Sequence, residues 1–330
     1  MKRMLILALI GLIAAGTLTS CGGRDDGGVV RLRLAGVTTD AGVLAGDEFA
    51  RIAHEASDGT LVVDHFPRNQ LGNDLAQVEN TIVGDIDIAV SSTGSIAELF
   101  RDLFLFDMPF LFTDHAHAHS MLDGPETQRL LAGMERVGLR AIAMWENGFR
   151  NFTNDRVAVR VPSDVSGMTV RTMVNPLHLA AWQLFGANPT PMAFGELFTA
   201  LQQGTVDAQE NPLGIIDANN FQSVQRYISL TQHVYTPFIV VMNLRRYNSL
   251  TPEQQAAVDR AARESTTFQR NRAMADERDI LQKFIDEGIN IVQLTPEEVN
   301  QWRNIIFESD ILDLVRDRMD NPGLLDAFIN

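Results

Sequence analysis

Cysteine is almost missing from this chain: its 330 residues include one, Cys21, so no disulfide can form within the chain. Positive charge is also scarce. There are 27 Lys plus Arg against 42 Asp plus Glu, a formal net charge of −15, and no basic stripe interleaved with aromatic residues stands out. Nucleic acid is thereby excluded as a partner. A small anionic ligand is not, because diffuse surface charge is screened over about 8 Å at physiological salt and one arginine in a cleft outweighs it. No apolar run reaches the roughly 20 residues of a membrane span, and no period of 20–50 residues repeats, which excludes a solenoid or propeller. What is present is the composition of a globular protein: 45% hydrophobic and 21% charged residues, with 24 Gly and 12 Pro spread along the chain. The length points to two compact lobes.

Lys2 and Arg3 precede an apolar stretch from Met4 to about Ala15, matching the h-region of a secretory signal peptide over 1–20. The stretch ends in Leu18-Thr19-Ser20-Cys21, which resembles a bacterial lipobox. In that case Cys21 carries the lipid that anchors an exported protein to its membrane. Residues 21–28, rich in Gly and Asp, have the composition of a flexible linker.

From Val30 onward the pattern is β-α-β-α-β: strands at Val30–Leu34, Leu61–Phe66 and Ile86–Val90 alternate with helices over Gly42–Ala56 and Asn73–Val83. A strand follows at Ala141–Trp145. A second unit restarts with Val157–Val161 and continues through the strand Met168–Thr172 and the helix Pro176–Phe185. After Val234–Leu244, Thr251-Pro252-Glu253-Gln254 supplies an N-cap, a proline at the first helical position and Gln at N3. No further Gly or Pro appears before Gly288, so the spacing predicts a helix long enough to cross both lobes, with Ser265-Thr266-Thr267 as the place for a break.

Phosphate cradles of the G-x-x-x-x-G-K-[ST] and G-x-G-x-x-G types are missing, and no nucleotide or other cofactor is expected. His115, His117 and His119 alternate after Asp114, but no H-E-x-x-H pattern accompanies them and no metal site is assigned. Ser91 to Ser95 lacks the G-x-S-x-G elbow and suits a ligand loop at the carboxyl end of a parallel strand. Arg171, in the apolar strand context Gly167 to Met173, is the most informative residue. A guanidinium removed from water needs an acid, either internal or brought by a ligand. Arg150, where the chain turns toward the second lobe, can face the same cleft.

Gly167 through Arg171, Gly186 through Glu196 and Ala200 through Pro212 resemble the extracytoplasmic solute-binding proteins of tripartite ATP-independent periplasmic (TRAP) transporters, the DctP type. Gln70 to Gly72, Gly84 to Asp87, Met108 to Phe112, Asn147 to Arg150 and Thr231 to Tyr235 fall in the same order. The resemblance implies a two-lobed periplasmic-binding-protein-like α/β fold, with an interlobe cleft and a long helix spanning both lobes. Lobe I would comprise 29–148 plus 237–276, and lobe II 149–236 plus 277–330. It implies an exported, lipid-anchored receptor that captures an organic acid, closes by hinge bending and passes the acid to small and large integral membrane subunits. Arg171 would hold the substrate carboxylate, with Asn211 and Arg150 beside it and Phe194 packing on the ligand. Ser92 and Asp74 would reach in from the first lobe, and Asn175 would meet a hydroxyl of a sugar acid such as a hexuronate or aldonate; a C4-dicarboxylate is the alternative substrate. Asp74 stands where a longer Glu is frequent, and the loop Thr38 to Gly42 lacks the usual His-Pro. The rival functions are a ligand-sensing lipoprotein and a secreted hydrolase or lyase, the latter lacking a visible nucleophile–base pair.

Overall fold

A computed structural model describes residues 28–329. The expected signal peptide, Cys21 and all of the linker but Gly28 lie outside the described residues. Among these residues no helix is long and apolar enough to cross a membrane.

The chain begins with β1 (Val30–Ala35), α1 (Asp40–Ala56), β2 (Leu61–Phe66), α2 (Asp74–Val83) and β3 (Ile88–Ser92). It continues through α3 (Thr93–Ile96), a 3-10 helix at Arg101–Asp107, α4 (His115–Leu122), α5 (Pro125–Ala132) and the long strand β4 (Leu139–Phe149). Beyond Arg150 come β5 (Asn151–Asn154), β6 (Thr169–Thr172), α6 (Pro176–Leu184), β7 (Asn188–Pro191), α7 (Leu197–Gln202), β8 (Ala208–Asn211), α8 (Leu213–Ala218) and β9 (Tyr227–Ser229). The chain then returns along β10 (Tyr235–Asn243) to α9 (Leu244–Asn248) and α10 (Pro252–Asp286), and ends with β11 (Asn290–Val292), α11 (Pro296–Phe307), α12 (Ile311–Arg318) and α13 (Gly323–Ile329).

Two sheets result, ordered β2-β1-β3-β10-β4 and β11-β9-β5-β8-β6-β7. In the first, β1 runs parallel to β2 and β3, while β10 is antiparallel to β3 and β4. In the second, β6 runs parallel to β7 and β8. Each lobe therefore points the carboxyl ends of parallel strands at the seam, where open α/β sheets place ligands.

The long helix is continuous. Thr251 Oγ1 accepts the Gln254 N–H and the Gln254 side chain accepts the Thr251 N–H, closing both ends of a capping box. No break occurs at Ser265–Thr267, because the Ser265 and Thr266 hydroxyls donate to the Ala262 carbonyl within the helix and Ser265 is wholly buried. At 1.5 Å per residue, 35 residues span about 52 Å. α10 lies against α1 and β4 of the first lobe and against α8 and β11 of the second. Phe49, Ala261 and Ala262 share an apolar cluster with Val90 and Val240 of the first sheet. A second cluster joins Phe152, Trp182 and Trp302 to Phe104 and Phe106. Through it the carboxyl-terminal helices, expected on lobe II, also rest on lobe I: α12 touches the 3-10 helix and α13 touches α5.

Val157–Val161 is not a strand. Its N–H groups find side chains instead of a neighbour's carbonyls: Asn154 Oδ1 accepts from Val157, and Asp164 Oδ2 accepts from Arg160 and Val161. β5 takes the place in the sheet that was expected for this segment. Its sequence, Asn151-Phe152-Thr153-Asn154, carries one apolar side chain, so hydrophobic periodicity does not mark it.

Candidate functional site

Between the lobes lies a cavity of about 160 Å³. The first lobe contributes Thr38 after β1, Asp74 at the start of α2 and Ser92 at the end of β3; the second contributes Arg171 on β6, Phe194 after β7 and Asn211 at the end of β8. Asn147, Arg150 and Phe238, from the strands that connect the lobes and their continuation, also line it, as do Asn69, Asn73 and Ser95 of the first lobe.

Arg171 is 2% exposed and forms no ion pair among the described residues. Its Nε and Nη2 donate to the Met192 carbonyl at 3.1 and 2.8 Å, and Nη1 has no hydrogen-bond partner among the described residues. The β6–β7 register, Thr172 against Pro191, brings that carbonyl into place. The Phe194 ring lies 5.9 Å from the guanidinium carbon, within cation–π range. Burial and the neighbouring charge of Arg150 push the Arg171 pKa down to about 10, against the pull of Glu210 and Asp74. It remains cationic at neutral pH, with its charge uncompensated by any direct contact.

Arg150 behaves differently. Its Nε and Nη2 meet Glu210 at 2.5 and 2.9 Å, and Nη2 also donates to the Glu210 carbonyl and to Asn211 Oδ1. Both partners of this ion pair are essentially unexposed. Burial alone would raise the Glu210 pKa, but Arg150 and hydrogen bonds from His178 and His233 hold it well below the usual range. Arg150 thus lines the cleft with an internal counterion already bound, and its Nη1 forms none of these bonds. Asn211 is oriented by the same network, donating to Gln209 Oε1 at 2.5 Å.

The first-lobe residues hold each other. Asp74 Oδ2 accepts from the Ser92 N–H at 2.9 Å and from the Ser91 hydroxyl at 3.3 Å. Burial pushes the Asp74 pKa up from its ordinary value, opposed by those bonds and by Arg171.

Asn175 departs from expectation: it is not on the cavity wall. Its Oδ1 caps α6 by accepting the Leu177 N–H, and Nδ2 donates across the seam to the Gly94 carbonyl at 3.0 Å and to Asp107 at 2.8 Å. With every polar atom committed, the side chain joins the two lobes and leaves nothing for a ligand hydroxyl. Met173 Sδ makes a parallel contact with the Ser95 hydroxyl at 3.6 Å.

Sequence reasoning missed Asn147. Thr236 pairs with Gly148 but Pro237 pairs with Glu146, so Asn147 is the extra residue of a β-bulge between β4 and β10. It lines the cleft on one side and a second cavity, of about 240 Å³, on the other. Its Oδ1 is buried without a donor. Pro237, which cannot donate to a ladder, was the available signal that the pairing is interrupted there.

The histidines of α4 serve the connecting strand. His119 Nε2 lies 2.5 Å from Glu146 Oε2, which also accepts the Tyr235 hydroxyl, and His115 sits between Glu146 and Glu277. Among the described residues no group of three His, Cys, Asp or Glu is arranged to hold a metal.

Residues 38–309 match the family described as bacterial extracellular solute-binding protein, family 7. The 2,3-diketo-L-gulonate-binding periplasmic protein YiaO of Escherichia coli is 38% identical over 254 residues, 77% of this chain and 77% of that protein. The C4-dicarboxylate-binding periplasmic protein DctP of Rhodobacter capsulatus is 27% identical over 261 residues, 78% of each chain. In structure, the sugar acid binding protein DctPAm of Advenella mimigardefordensis, crystallised with galactonate, superposes with a TM-score of 0.86 at 33% identity, covering 91% of this chain and 98% of its own. With the family model matched over most of its length and the two lobes and spanning helix that go with it, the chain belongs to the family 7 extracellular solute-binding proteins, the DctP-type binding subunits of TRAP transporters.

Proposed function

We propose that the protein captures a sugar acid, an aldonate or a hexuronate, between its lobes and delivers it unchanged to the membrane subunits of a TRAP transporter. The supporting observation is Arg171, whose Nη1 is buried without a partner while Met192 fixes the rest of the guanidinium. A planar fork held this way fits a carboxylate. Asn211 and the free edge of Arg150 flank that carboxylate, Phe194 packs on the carbon chain, and Ser92 and Asp74 meet it from the first lobe. Closure follows because the bound acid touches both lobes, and only such differential contact shifts the open–closed equilibrium. Relatives named for 2,3-diketo-L-gulonate and galactonate favour a sugar acid over a C4-dicarboxylate. A signal peptide over 1–20 and a lipid on Cys21 would keep the receptor at the outer face of the membrane that holds its partners.

A thermal-shift screen of aldonates, hexuronates and C4-dicarboxylates identifies the acid, because a ligand of the folded state raises the melting temperature by mass action. Calorimetry with that acid should then show Arg171→Ala binding at least about a hundredfold more weakly, since truncating one partner of a buried charge pair costs about 3–5 kcal/mol. Undiminished affinity in that variant defeats the assignment. Recovery of the acid unaltered in mass after incubation separates carriage from catalysis.

A further inference from the structure

The second cavity, of about 240 Å³, lies across the connecting strand from the cleft, outside the carboxylate site. Its walls are the start of α1 from the first lobe, α8 from the second, Glu146 to Phe149 of β4 between them, and α10. Phe149, Leu213 and Ile280 make part of the lining apolar. The rest is acidic: six carboxylates stand against two bases, Arg272 and Lys283. Arg272 holds Asp276 at 2.7 Å and Lys283 holds Asp217 at 2.6 Å. Arg68 meets Asp40 from outside the lining, and His115 lies between Glu146 and Glu277. Asp279 has no ion pair among the described residues, so negative charge is in excess.

Buried acceptors on the wall point the same way. Glu146 is 3% exposed and gives Oε2 to His119 and Tyr235, but its Oε1 has no hydrogen-bond partner among the described residues. His115 Nδ1, 3.5 Å away, is likewise unpaired. A Cβ added to Gly148, itself on the cavity wall, would lie 3.4 Å from that oxygen, so Oε1 faces the cavity side. Asn147 Oδ1 and Asp276 Oδ2 line the same cavity and are also buried without a donor. Buried acceptors of this kind call for a ligand that brings donors, and the excess charge calls for a cation. A metal ion does not fit, since among the described residues no group of three His, Cys, Asp or Glu is arranged to hold one. An ammonium group supplies several N–H donors at ordinary hydrogen-bond distance, and an alkyl body can lie on the apolar part of the wall. We propose that this cavity binds a small primary alkylammonium ion, whose N–H groups go to acceptors among Glu146, Asn147 and Asp276.

Calorimetry on the full-length protein at fixed ionic strength tests this with butylammonium, set against tetramethylammonium, which carries the charge but no N–H. Butylammonium should bind at one site and at least about tenfold more tightly than tetramethylammonium, the worth of a charge-assisted hydrogen bond. Glu146→Gln should weaken its binding by at least about tenfold. Asp276→Asn, at a partly exposed position of α10, gives the same readout where Glu146→Gln does not fold. Butylammonium that fails to bind, that binds no better than tetramethylammonium, or whose affinity is unmoved in the folded variant overturns the proposal. None of these outcomes bears on the capture of an acid at Arg171.

Discussion

Two arginines with the same side chain have opposite roles here, because of what sits within 3 Å of each. Arg150 has Glu210 against its fork; Arg171 has a neutral carbonyl and an idle Nη1. The geometry of the idle edge predicts that charge alone is not enough. Arg171→Lys keeps the charge but offers a point donor in place of two parallel N–H groups. Its calorimetric Kd for the cognate acid should rise at least about tenfold, and a Kd equal to that of the unaltered protein would show that the fork is unimportant. Arg171 was legible in the sequence because a charged residue interrupts an apolar strand. The pairing of Arg150 was not, since Glu210 lies 60 positions away and only the antiparallel register of Asn151 with Asn211 brings them together.

Among the elements, the connection between the lobes is braced by α4. Burial lowers the His115 pKa, but Glu146 and Glu277 outweigh it and the value stands raised from 6.5 to about 10. Burial likewise works to raise that of Glu146, yet His115 and His119 bring it down from 4.5 to about 2. The histidine therefore adds stability in full below pH 6.5, and this is lost as pH climbs to about 10; the glutamate's share is full above pH 4.5 and is lost as pH falls toward 2. Stability should peak between those limits. Urea unfolding across pH 6.5 to 10 should show a decline in the unaltered protein that is flattened in Glu146→Gln, and parallel profiles would mean that this contact does not govern it. The strand–helix order and the cap of α10 were legible, because local spacing dictates them. The bulge at Asn147, the strand β5 and the use of the α4 histidines depend on partners far along the chain, and polar residues in short buried strands leave no periodic trace.

For the molecule as a whole, affinity depends on how readily the lobes meet as well as on the cleft. Asn175 joins them through Gly94 and Asp107 without touching the cavity. Ser caps a helix about as well as Asn does but is too short to reach across. Asn175→Ser should thus keep a near-normal melting temperature while weakening acid binding by roughly tenfold to a hundredfold, the worth of the two hydrogen bonds it makes across the seam. Calorimetry paired with thermal melting checks this, and an unchanged Kd would remove Asn175 from the closing surface.

The unbroken α10 has a mechanical corollary. No glycine or proline interrupts the chain between Pro252 and Gly288, so the rod lacks the commonest places for a sharp kink, and the crossing strands and the short stretch leading into β11 bend more cheaply. Halves tied at separated points to one stiff beam tilt about a nearly fixed line more readily than they slide or turn. Tilting of that kind favours one side of the seam as the door by which a solute arrives and leaves.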